Sequence, residues 1–323
     1  NDLATLLAKS YTGNLDVVSL QSSYHGYSSA LMGLTGTQSY RMPIPVPPGF
    51  HHLLENSVPA GRIAALFAES IQGVNGTVQF PKGYLKKAHT LVKKYGGLYV
   101  ADEVQTGLGR TGDAFWGFEN HGVMPDIVTM AKGIGNGFPM AAVATTKEIA
   151  ETHSRAAYFN TFGGNPMAGA VGKAVLEVMF NIIDNTLSDS LRYLRKYFVE
   201  QLMDLQKIHP IIGDVRGKGL MLGIELVVPG TKEPLKKEEV SCIHEQMKDL
   251  GILIGRGGRW SNVCYHLFNV GTYFSKKYIF LYIIIFLQVL RIKPPMCINK
   301  NDVDFTIDIL DESLKMFLKK TKC

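Results

Sequence analysis

The chain has 323 residues, 46% of them hydrophobic, with 34 Lys and Arg against 28 Asp and Glu for a formal net charge of +6. That length can bury a large core and fits two domains or one large α/β domain. Its basic residues are scattered, with only short pairs such as Lys93-Lys94 and Lys319-Lys320, which describes a solvated basic surface and argues against nucleic-acid binding. The four cysteines (Cys242, Cys264, Cys297, Cys323) show no CxxC or Cys/His ligand spacing. They read as reduced thiols of an intracellular protein, with no disulfide framework and no zinc site.

In chain order, "NDLATLLAKSYTG" opens as a helix with Asp2 capping Leu3, Leu6 and Leu7, and shows no targeting segment. It is expected to be a piece of a longer protein, entered inside its fold. Short apolar runs that fit buried parallel strands follow at 17–20, 63–68, 98–101, 127–130 and 141–144. An amphipathic helix over 83–95 (Tyr84, Leu85, Ala88, Leu91, Val92, Tyr95) separates two of them. This rhythm predicts an open, mainly parallel α/β sheet. Helices are expected over 166–180 and 186–207, then a glycine-bent strand in "DVRGKGLMLGIEL", a helix over 236–250 and a last helix near 301–319. The division that follows is a large domain, 1–207, and a smaller C-terminal α+β domain, 208–323.

Two stretches break the order. Residues 41–61, "RMPIPVPPGFHHLLENSVPAG", are proline-rich and predict a surface loop. Residues 262–288 form an atypical insert leading into the apolar run 278–290, which is broken only by Gln288. That run is short of the roughly 20 residues of a membrane helix. A buried element, an interfacial segment, and sequence foreign to the fold (intron-derived, for instance) all remain open for it.

Two motifs carry chemistry. "IVTMAKGIGNG" ends an apolar strand on Lys132 and follows it with Gly133, Gly135 and Gly137. A lysine delivered into a cleft can present its amine to a carbonyl, and burial lowers its pKa from about 10.4. The glycines would let a phosphorylated ring approach the backbone. "GGLYVADEVQTGLGRTG" likewise ends a strand on Asp102, at the strand edge where α/β sheets bind ligands. A buried carboxylate there keeps a heteroaromatic nitrogen protonated. Taken singly, a surface lysine at a glycine turn and a capping aspartate explain the same letters.

Together, "YVADEVQTGLGRTGDAFWGFENHGVMPDIVTMAKGIGNGFPMAAVATT", "SYHG", "IQGVNG", "NTFGGNPMA" and "DVRGKGLMLGIE" resemble class III pyridoxal-phosphate aminotransferases, and within them the mitochondrial alanine–glyoxylate group. The resemblance covers most of 1–260 and resumes at 290–323. It implies the fold type I architecture and the cofactor pyridoxal 5'-phosphate. Lys132 is implied as Schiff-base lysine and proton shuttle, Asp102 as partner of the pyridinium nitrogen, and Gln105 as a hydrogen-bond partner near the phenolic oxygen. Val104 and Tyr24 pack on the two ring faces. Thr161 reaches the phosphate of a neighbouring subunit's cofactor, which makes a homo-oligomer necessary, and Arg291 grips the substrate α-carboxylate. Substrates would be an amino acid (alanine, β-aminoisobutyrate or similar) and glyoxylate or pyruvate, with no nucleic acid, membrane or metal involved. The location would be mitochondrial.

On residue type alone, Tyr24 could equally be a core aromatic, Thr161 a turn hydroxyl and Gln105 a turn cap, while Arg291 adjoins the insert. His25 and His121 are read as structural. The chain departs from the family pattern in lacking the upstream glycine-serine phosphate loop, in Ser70 where a proline is usual, in the rewritten 41–61 loop and in the insert. An impaired fragment of such an enzyme, or a phospho-lyase of the same fold, are the alternatives.

Overall fold

The computed structural model describes residues 1–37, 40, 48–52, 63–154, 158–184, 187–258, 264–266, 282–284 and 288–320. Two large sheets and a separate two-stranded pair organise them. The first has six strands: β1 (Asp16–Ser19), β2 (Phe50–His52), β3 (Ile63–Glu69), β4 (Leu98–Asp102), β5 (Ile127–Ala131) and β6 (Ala141–Thr145). They lie in the order β2-β1-β3-β4-β5-β6, parallel except for β6.

Strand alternation explains how this sheet is covered on both faces. Ala65 and Phe67 of β3 and Val100 of β4 pack with Ala4, Leu7 and Ala8 of helix α1 (Asp2–Thr12) and Ile149 of α3 (Lys147–Ser154). Leu66, Ala68, Tyr99 and Ala101 face the other way, against Leu85 and Val92 of α2 (Tyr84–Lys94). A strand wet on neither face needs no polar alternation, which is why these runs read as continuously apolar.

β6 departs from expectation. It runs antiparallel to β5 and its residues are exposed or half-buried. The link over 132–140 is shorter than the dozen or more residues a parallel crossover requires, so the chain must turn straight back. Two further readings need correction. "DVRGKGLMLGIEL" is a hairpin rather than one bent strand: β7 (Ile212–Lys218) pairs antiparallel with β8 (Met221–Leu226). Gly217 (φ +120°) and Gly219 (φ +62°) take the left-handed conformations that the reversal needs. Asp2 is not the helix cap. Asn1 holds that position, and Asp2 instead accepts a hydrogen bond from Ser28 Oγ (2.6 Å).

The second sheet, in order β7-β8-β12-β9, is antiparallel throughout and includes β9 (Gly255–Gly257) and β12 (Val289–Ile292). One continuous core joins it to three helices. α7 (Lys300–Lys320) supplies Val303, Ile307, Leu310, Leu314 and Phe317, a stripe at helical spacing. α5 (Leu187–Ile208) supplies Leu194, Phe198, Leu202 and Leu205, and α6 (Lys237–Asp249) supplies Val240, Ile243 and Met247. Helix α4 (Pro166–Asp184) packs by Met179 near Leu108, Met130 and Ile134.

Within the proline-rich stretch, Phe50–His52 forms β2, and most of the remaining loop falls outside the described residues. Most of the 262–288 insert falls outside them too. Its described parts, β10 (Cys264–His266) and β11 (Tyr282–Ile284), pair antiparallel with each other. Cys242 and Cys297 carry free thiols. Among the described residues, no helix is long and apolar enough to cross a membrane, and no group of three or more His, Cys, Asp or Glu could hold a metal ion.

Candidate active site

The parallel strands of the first sheet deliver their carboxyl ends to one edge. Glu69 of β3 is in register with Asp102 of β4, and Asp102 with Thr129 of β5. Lys132 follows β5 directly, at φ +51°. A non-glycine residue in that region is strained, and such strain persists only where surrounding structure holds it. The glycines after it have identifiable packing duties. A side chain at Gly133 would press on Leu108 (3.1 Å), one at Gly135 would press on Met140 (3.0 Å), and Gly137 adopts φ +100°.

Asp102 is buried and fully supported. Its Oδ2 accepts from Asn1 Nδ2 (2.8 Å) and from His25 Nδ1 (2.8 Å), and its Oδ1 accepts from the Val104 amide (3.2 Å). Because the carboxylate can only accept, His25 Nδ1 carries the hydrogen. Burial alone would push the carboxyl up; the hydrogen bonds from His25, Asn1 and Val104 outweigh it and hold Asp102 below the ordinary value. Asn1 is the hub of this shell, since it also bonds the His25 carbonyl (2.7 Å) and accepts from Thr129 Oγ1 (2.7 Å). Among the described residues, the buried His25 Nε2 has no partner.

Two more carboxylates lie behind it. Glu69 accepts from the amides of Tyr24 (3.1 Å) and Gly73 (2.9 Å), yet burial raises its pKa and neighbouring Asp102 adds to the rise. Glu103 takes four hydrogen bonds, from Ser70, Thr106, Gly117 and Phe118, and burial still pushes it up.

Lys132 is crowded by protein but still meets solvent. Burial lowers its amine from the usual lysine value, Arg291 lowers it further, and Asp102 and Glu69 oppose both. The same amine lines two cavities of about 650 Å³ and about 590 Å³. Gln105 lines both, and Val104 lines the second. Gln105 packs so closely on Gly73 that a Cβ there would sit 2.5 Å from its Oε1, and a side chain at that position would displace the Gln105 amide.

From the second sheet comes Arg291. Its Nε donates to the Arg256 carbonyl (2.7 Å) and its Nη1 to the Gly73 carbonyl (3.2 Å). Gly257 on the neighbouring strand makes room, because a Cβ there would meet the arginine Cδ at 2.7 Å.

Lys132 and Gln105 thus line both cavities, Arg291 the larger and Val104 the smaller, while Asp102 lies buried outside both and acts on the Lys132 amine through its charge. Tyr24 joins through its backbone bond to Glu69, with its ring edge-on to Tyr40 at 5.2 Å. Thr161 stands apart on an exposed turn beside Phe162, which is 81% exposed. Sequence reading missed Asn1, Glu69 and Lys293 and left His25 outside the chemistry. The adjacency of His25 to Tyr24 in "SYHG" was the one available signal. His121 keeps a structural place, donating to the Ser70 carbonyl (2.9 Å).

An amine of lowered pKa, a carboxylate held ionised, an aromatic ring and a guanidinium form a donor set that suits pyridoxal phosphate. Comparison with known proteins agrees. A family model described as Aminotransferase class-III matches residues 3–270. The chain is 41% identical to the human protein named mitochondrial alanine–glyoxylate aminotransferase 2, over 99% of its own length and 66% of that protein's. It is 36% identical to ethanolamine-phosphate phospho-lyase homolog 1 of Caenorhabditis elegans, over 98% of this chain and 71% of that one. Its fold matches a Bacillus anthracis aminotransferase with a TM-score of 0.83 and 29% identity, covering 98% of this chain and 74% of that one. The chain therefore spans just under two thirds of the human relative's length. On its sequence and its fold alike, it belongs to the class III aminotransferase family.

Proposed function

We propose that the protein is a pyridoxal-phosphate-dependent transaminase, moving an amino group from alanine, β-aminoisobutyrate or a related amino acid to glyoxylate or pyruvate. The observation that carries this reading is the buried Asp102 carboxylate, held ionised by three donors on the strand next to the one that ends at Lys132.

In this reading Lys132 would hold the cofactor through its aldehyde, Asp102 would pair with its ring nitrogen, and Val104 and Tyr24 would pack against its ring. Gln105 would bond its phenolic oxygen and Thr161 of a second copy its phosphate, in which case the working form would be a homo-oligomer. Pyridoxal phosphate, when bound, supplies a carbonyl for amines and a ring that withdraws electrons. The chain's own residues do the rest. Arg291 grips the substrate α-carboxylate with a planar fork and fixes its orientation. Lys132 Nζ, whose amine is held below the usual lysine value, would take the proton from the substrate α-carbon and pass it to the carbon that receives the amino group. Asp102 stays charged throughout, because its hydrogen-bond shell does not depend on the ligand. The division at 207/208 belongs to the same reading, with 1–207 as the cofactor-binding part. So does a mitochondrial location, which rests on the human relative's name.

The test is direct. Adding pyridoxal phosphate should produce a visible absorbance band, and borohydride should then fix the label on the Lys132 peptide. Absence of label there favours an impaired fragment. A phospho-lyase is the second reading, supported by the 36% identical worm relative. Pyruvate-dependent consumption of the amino donor supports the transaminase, and phosphate release from phosphoethanolamine supports the lyase.

A further inference from the structure

Lys293 is a second amine at the same opening, and the proposed reaction has no use for it. It follows Arg291 by two residues. Ile292 between them is buried in the second core, so alternation sends Arg291 and Lys293 together toward the opposite side. Both line the larger cavity with Lys132, and Lys293 lines the smaller one as well. Lys293 Nζ donates to Gln105 Oε1. Arg110 stands nearby, its Nη1 donating to the Pro294 carbonyl at 2.6 Å. Among the described residues, Lys293, Arg291 and Arg110 bond only carbonyl or amide oxygens, and none has a carboxylate within ion-pair distance. The opening is therefore rich in cations that make no direct ion pair among the described residues, Glu69 acting on Arg291 and Lys293 only from a distance.

We propose that Lys293 extends the substrate range beyond the monocarboxylic acids named above, by holding the distal carboxylate of a short dicarboxylic amino or oxo acid whose α-carboxylate lies on Arg291, an assignment that rests on the role proposed for Arg291 above. One carboxylate is satisfied by the fork of the arginine alone. A compact ammonium suits a second, separate point anion. Two residues of extended chain set the two Cα atoms about 6–7 Å apart, a spacing that suits two anions on one small molecule.

The charge state of Lys293 adds a signature. Burial, then Arg291 and Lys132, with Arg110 adding to them, push its amine down to about 7, while Glu69 opposes. Near neutral pH the amine is thus only partly protonated, and an arriving carboxylate draws a proton onto it. Binding of a dicarboxylate should take up protons.

Calorimetry with succinate and propionate, neither of which can be transaminated, tests this on the full chain. Succinate should bind more tightly than propionate, with heats at pH 8 that vary with buffer ionisation enthalpy as proton uptake requires. Lys293→Met should lower the succinate-to-propionate affinity ratio by about tenfold or more, and Lys293→Arg should restore it. Equal losses for both ligands in Lys293→Met would show that the lysine acts only through Gln105, and would overturn the proposal. So would succinate binding no tighter than propionate. A Lys293-dependent affinity for inorganic phosphate that exceeds that for succinate would assign the cation to a phosphoryl group and equally overturn it. The cofactor absorbance band is measured alongside. A band without dicarboxylate preference sinks this inference alone, and the preference without a band sinks the transaminase reading alone.

Discussion

The ends of β4 and β12 bring charge to Lys132 from different sheets, and they treat that charge in opposite ways. β4 ends on Asp102, whose carboxylate is met by an asparagine, a histidine and a backbone amide. β12 leads to Arg291 and Lys293, which are met by carbonyl and amide oxygens and by no carboxylate among the described residues. A buried charge with a full shell of donors is permanent, so it can serve as a fixed partner for a protonated ring. A crowded cation without a counter-charge is costly until an anion arrives, so it serves as a receptor. Asp102 is buried and the two cations half-buried, but the sharper difference lies in the partners.

The largest way to break this contrast is Asp102→Asn. Removing a charge aimed at the reacting ring should lower kcat/KM for amine transfer by about 100-fold or more, read in steady-state assays with pyruvate. A loss below tenfold would mean that the carboxylate is not the electrostatic partner. The same variant should also blunt acid sensitivity. Asp102's folded pKa is depressed, so its contribution to stability is present above about pH 4 and is lost as pH falls through the lower folded value.

Lys293→Met sharpens the other end. In the unfolded chain the amine titrates near 10.4, but in the folded protein it does so at about 7. The unfolded state holds more protons between those values, so wild-type stability should rise from pH 7 to pH 10 by on the order of a few kcal/mol. Urea unfolding at both pH values should show that rise in the wild type and not in Lys293→Met.

Gly219→Ala perturbs the docking of the hairpin that supports the cationic end. Its Cβ would lie 2.4 Å from the Thr111 backbone, next to Arg110, at a positive φ. A loss of about 1–3 kcal/mol in thermal unfolding is expected. Ser70→Ala is the smallest. It removes a 2.6 Å bond to Glu103, which keeps three other donors, and should cost about 1 kcal/mol.

Much of this site was legible before the fold was seen, for a physical reason. Buried parallel strands must be apolar along their whole length, so the point where "LYVAD" turns acidic or "IVTMAK" turns basic marks a strand's carboxyl end, where ligands bind. The hairpin in "DVRGKGLMLGIEL" was misread as one strand because its reversal occupies only Lys218 to Met221, within an apolar context. The letters of β6 match a buried parallel strand, whereas its direction is set by the length of the link before it. Lys293 carried no local signal. One lysine in "LRIKPPM" looks like any surface lysine until Ile292 is seen to enter the core and turn it toward the cavity.

Side-chain type and periodicity, read along the chain, were enough to specify the alternating strands and helices and the strand ends that present Asp102 and Lys132; the family followed from the resemblance of the motifs. These properties depend on neighbours a few residues away. Which groups support Asp102, and which cations share the opening with Lys132, was settled only by tertiary packing. Asn1, at the start of α1, and His25, in the loop after β1, reach Asp102 at the end of β4 only in the folded chain. Their charge states depend on partners and burial, neither of which is a property of any one residue.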